Sequence, residues 1–97
     1  MNKNINEVKY QTCNISNALL RNINDNFISV SFDFEGNNYL VVKVVLVKRT
    51  EKEDGYIEDM IAEFSALQES DSVRKVLVEV GVEHFPLQNL VYQKSLE

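Results

Sequence analysis

Ninety-seven residues, 44% of them hydrophobic and 26% charged, are enough for one small domain and exclude wholesale disorder. Ten basic against fifteen acidic residues leave a net charge of −5, which argues against a nucleic-acid binder, since such proteins carry a basic patch and a high pI. The longest apolar run, Tyr39 to Val47, is interrupted by Lys43 and falls far short of the ~20 residues of a membrane span. The polar start Met1-Asn2-Lys3-Asn4 leads into no apolar signal core, so a cytoplasmic location is expected.

Asparagine crowds the first quarter: eight of the eleven precede residue 27. Asparagine favours caps and turns over helix interiors. Ile15, Ala18, Leu19 and Ile23 nevertheless fall at helical spacing, with Asn14 or Ser16 as a cap, and predict a short helix over 14–24. Residues 1–13 stay open between irregular structure, a strand through Val8, Tyr10 and Thr12, and a helix through Ile5, Val8, Thr12 and Ile15. In 27–34, Ile28, Val30, Phe32 and Phe34 alternate with Ser29, Ser31 and Asp33, the pattern of a strand with one wet face. Glu35-Gly36-Asn37-Asn38 reads as a hairpin turn. The strand from Tyr39 to about Lys48 is apolar on both faces except at Lys43, as a central, covered strand is.

Ile57, Met60, Ile61, Phe64 and Leu67 recur every three or four residues and predict an amphipathic helix over 55–69. Thr50-x-x-Glu53 matches a capping box. Asp54 is the preferred N-cap, because it keeps Gly55 out of the helix interior. Ser70-Asp71-Ser72 is the expected exit. Val76, Val78, Val80 and Val82 mark a third strand over 73–82, Glu83-His84-Phe85-Pro86 a turn, and Leu90–Lys94 a short fourth strand. Leu96-Glu97 has the look of a cloning remnant. The expected fold is one α+β domain over 1–97, a β-β-α-β-β core. Its sheet should be mostly antiparallel with about four strands, one amphipathic helix packed on it and a short helix in front.

Candidates for chemistry are few. One cysteine, Cys13, closes no internal disulfide, and with the single His84 it supplies too few ligands for a structural zinc site. Cys13 is expected near a helix start and His84 in a loop, apart from one another. The three glycines are too scattered for a phosphate loop. The pairs Glu58/Asp59 and Glu79/Glu83 read as surface acids. No catalytic residue, metal site or cofactor is expected, and the chain is not read as an enzyme. Tyr39, Tyr56, Tyr92, Phe27 and Phe85 lie at element edges, where core packing is the default.

Charge is the uneven feature. Residues 1–50 hold six basic and four acidic residues, residues 51–97 four and eleven. In 51–71 eight acids face only Lys52, a concentration that steers a basic partner as well as it solvates a helix. Glu51, Glu53, Asp54, Glu58, Asp59 and Glu63 are therefore the candidate partner-binding residues. In the hairpin Ile28–Lys48, the acidic helix Gly55–Glu69 and the closing strands Val76–Val82 and Leu90–Lys94, the chain resembles small bacterial immunity proteins of toxin–immunity pairs. That resemblance implies binding and neutralisation of a basic toxin domain, with no nucleic acid and no membrane as partner. The alternative expectation is a homodimeric structural or adaptor module pairing through a sheet edge, with Phe27–Phe34 as that edge. A small-molecule binder ranks third, since no pocket with converging polar groups is nominated.

Overall fold

The computed structural model describes residues 5–20, 22–35, 39–66 and 73–94. Its order is α1 (Ile5–Leu19), β1 (Phe27–Glu35), β2 (Tyr39–Leu46), α2 (Glu51–Ala66), β3 (Val73–Val80) and β4 (Asn89–Gln93). The α+β class and four strands agree with the sequence reading, but the sheet is mixed. Its order is β3-β2-β1-β4, antiparallel at β1–β2 and β1–β4 and parallel at β2–β3. The parallel pair follows from α2, which carries the chain back along the sheet before β3 begins. The expected turns at 36–38 and 70–72 lie outside the described residues.

Both helices pack on one face. Ile15, Ala18 and Leu19 of α1 and Ile57, Met60 and Phe64 of α2 share a buried core with Phe27, Val30, Phe32, Leu40, Val42, Val44 and Leu46. The N-terminal helix is not short and does not start near residue 14. It begins by Ile5 and ends at Leu19, with Asn14 buried in its middle and Cys13 exposed and well inside the helix rather than near its start. An asparagine-rich stretch tolerates helix here because its polar side chains bond within the helix. Gln11 donates to Glu7 at 3.1 Å, Thr12 to the Val8 carbonyl at 2.8 Å and Asn14 to Gln11 at 3.4 Å. Asn22 closes the end by donating to the Ala18 carbonyl at 2.7 Å.

The opposite face of β1 is dry over its first half, whereas Asp33 and Glu35 toward its end are half-buried and exposed. Ser29 and Ser31 are buried there, as is Val45 of β2. The cover is the 81–88 connection. It must carry the chain from β3 at one edge to β4 at the other, about 14 Å across three strand spacings. The Leu87 amide donates to Ser31 Oγ at 2.8 Å and pins the connection to that face. The connection leaves β3 through Gly81, whose φ of 123° suits glycine. A register shift between Phe27 and Ser29 gives β1 an extra residue at Ile28. The bulge turns Phe27 to the helix side together with Val30 and Phe32, so Ile28 drops out of the expected alternation and out of the main core. β1 is paired on both sides, which removes it as a free edge; the outer strands are β3 and β4.

Candidate functional site

α2 begins at Glu51, one turn earlier than the reading that favoured Asp54 as cap. Thr50 is the N-cap: its Oγ1 accepts from the Lys52 amide at 3.2 Å, and Asp54 N–H makes the first helical bond to the Thr50 carbonyl at 3.0 Å. The capping box is complete, since Glu53 Oε1 accepts from the Thr50 amide at 2.7 Å and from its hydroxyl at 2.5 Å. Gly55 accordingly lies inside the helix.

The six candidate acids separate into different environments. Glu53 is 1% exposed and leaves the surface altogether. Its second oxygen accepts from Asn24 at 2.7 Å and Asn26 at 3.2 Å, both from the connection between α1 and β1. Four neutral donors on one carboxylate hold its pKa at about 2, below the usual 4.5. The Thr50 hydroxyl acts most strongly, then Asn24, against the opposing effect of burial. Glu63 is half-buried and accepts from Asn22 at 2.7 Å. Asp54 is 45% exposed and pairs with Arg49 at 2.7 Å. Glu51, Glu58 and Asp59 are exposed on the outward side of the helix and carry no ion pair among the described residues. At 3.6 residues per turn they share that side with Gly55, Ala62 and Ala66, so short neighbours leave the carboxylates standing clear.

Asn22, Asn24 and Asn26 are the structural residues that the sequence reading missed. They fasten both ends of α2 to the α1–β1 connection through Glu63 and Glu53. The two-residue spacing of the three asparagines is a visible signal, but their partners lie 27 to 41 positions away.

Cys13 and His84 do not meet. Cys13 belongs to the helix layer, while His84 sits on the far side of the sheet, with Nε2 3.8 Å from both Glu79 and Glu83. Among the described residues no group of three His, Cys, Asp or Glu is arranged to hold a metal ion, and no helix is long and apolar enough to cross a membrane. A shallow open groove of about 410 Å³ runs between α2 and β3, lined by Ile57, Glu58, Ile61, Ala62 and Val76. Of the edge aromatics, Phe27 is fully buried and meets Tyr56 edge-on at 6.5 Å, whereas Phe85 is 78% exposed. No family model matches the chain, and no curated protein matches it either.

Proposed function

We propose that this chain is a small acidic binding protein that sequesters a basic protein partner through the outward side of α2, in the manner of an immunity protein acting on a toxin domain. The observation that supports this is the set of three exposed carboxylates, Glu51, Glu58 and Asp59, that no described cation neutralises. The contrast within one helix is informative. The same sixteen residues contain a buried acid saturated by hydrogen bonds, a half-buried acid held by an asparagine and an acid paired with arginine. Local structural demands therefore account for Glu53, Glu63 and Asp54, and the place of Glu51 in the first turn of α2 favours an acid there, whereas nothing among the described residues accounts for Glu58 and Asp59. Exposed charge of one sign raises the association rate with an oppositely charged partner and is screened over ~8–10 Å at physiological salt.

The test is a chain in which Glu51, Glu58 and Asp59 are all serine, compared with the parent in capturing basic proteins from its natural source and in the association kinetics with the captured partner. The variant should fold as the parent does and associate roughly 10-fold more slowly at low salt, the difference shrinking as salt is added. Equal rates and equal salt dependence would remove the acidic face from the function.

A further inference from the structure

We propose that β3 pairs with the β3 of a second copy of this chain, antiparallel and centred on Leu77, joining two four-stranded sheets into one of eight strands. This rests on the geometry of the sheet edge and is independent of the acidic side of α2.

Among the described residues β3 is an outer strand with β2 as its one strand neighbour. Gly81 donates its N–H to the Leu46 carbonyl at 2.9 Å, and the pairing with β2 is regular from Lys75 to Val80. Backbone groups alternate along a strand. Those of Lys75, Leu77 and Glu79 therefore point at β2, and those of Val76, Val78 and Val80 point to the open side. A row of unpaired N–H and C=O groups is a template for another strand unless something blunts it. Here the regular stretch contains neither proline nor bulge, and the charges that it carries, Lys75 and Glu79, are of opposite sign.

The charges select the occupant. Lys75 and Glu79 lie on the face away from the helices, two residues either side of Leu77; each has one long contact within its own chain, to Glu35 at 3.9 Å and to His84 at 3.8 Å, and their side chains remain 53% and 43% exposed. Antiparallel pairing about Leu77 sets each Lys75 opposite Glu79 of the other copy. A slip of two residues either way leaves both charges opposite valine, leucine or glycine positions. One register is thus selected by charge, and the contact is self-complementary, as a twofold interface requires. In that register Val76 and Val78 of opposite copies exchange backbone hydrogen bonds, and the two Leu77 residues form the closer, non-hydrogen-bonded pair. On the helix side, Val78 of the second copy stands against Val76, at the mouth of the groove lined by Ile57, Ile61 and Ala62.

Three measurements on the full-length chain test this. Sedimentation over a concentration series should show a reversible monomer–dimer equilibrium. Leu77→Cys in a Cys13→Ser background should give a disulfide-linked dimer on mild oxidation, while Asn6→Cys in the same background should not. Lys75→Glu and Glu79→Lys should each weaken the dimer at least ~5-fold, and the two together should restore it. Circular dichroism identifies any variant that fails to fold, and the cysteine experiment involves no charge reversal. A chain that is monomeric at every concentration, its edge left to a foreign strand, would overturn the proposal. So would a dimer that neither links through residue 77 nor responds to the charge reversals.

Discussion

A carboxylate removed from water needs donors in place of its hydration shell, and Glu53 has four of them, all uncharged. Its pKa of about 2 lies below the usual 4.5, so folding favours the ionised form. The stability this supplies is fully present above pH ~4.5 and is lost as pH falls toward ~2, where the folded protein also takes up the proton. Glu53→Gln turns an amide NH2 toward the Asn24 and Asn26 donors. It should lower stability at neutral pH and give a shallower loss between pH ~4.5 and ~2, readable by urea denaturation at a series of pH values. Ser29 is the opposite case: its hydroxyl is buried with no partner among the described residues. Removing an unsatisfied hydroxyl removes a cost of ~1–3 kcal/mol, so Ser29→Ala should raise the denaturation midpoint, while an unchanged or lower midpoint would mean that the hydroxyl is satisfied. The capping motif of Glu53 was legible in the sequence because its partner is three residues away. The asparagines that bury it were not, because short-range preference says only that asparagine suits turns.

Among the elements, legibility tracked periodicity. β1, β2 and the apolar stripe of α2 stood out because one rhythm ran through each, and the structure puts Ile57, Met60 and Phe64 of that stripe in the core. Truncating Phe64 to alanine should cost ~3–5 kcal/mol; a melting temperature near that of the parent would show that the helix packs by another face. Boundaries followed other rules. α2 starts at Glu51 because a complete capping box outweighs one interior glycine. That glycine still carries its conformational cost, and a Cβ at Gly55 would meet no atom within 4 Å. Gly55→Ala should therefore stabilise the protein by ~0.5–1 kcal/mol, seen as a higher melting temperature with an unchanged fold. α1 was misjudged because its propensities are poor one residue at a time, and packing of Ile15, Ala18 and Leu19 against the sheet overrides them. The bulge at Ile28 had no signal, since an inserted residue looks like any other position in an alternating run.

For the whole molecule, the apolar character of β2 on both faces correctly required a cover on each side. The sequence did not show that one cover would be an irregular connection, because 81–88 lacks the periodicity of an element. Nor did it show the strand order, which depends on where β4 docks rather than on what β4 is. That docking shapes the folding path. The β1–β2 hairpin and the β2–α2–β3 unit join segments close in the chain, whereas β4 returns to β1 from far away, pairing Gln93 with Ser29. Closing so long a loop is entropically unfavourable and is repaid only by a five-residue strand. The sheet should therefore assemble from β3 to β1 first, with the 81–88 strap and β4 laid across the finished face afterwards. Pulsed hydrogen exchange during refolding should find amides of Val42, Val44 and Leu46 protected before those of Tyr92 and Lys94. In the native protein the β4 amides should open with the smallest free energy in the sheet. Simultaneous protection of β2 and β4 would mean instead that the strap is placed before the hairpin it covers.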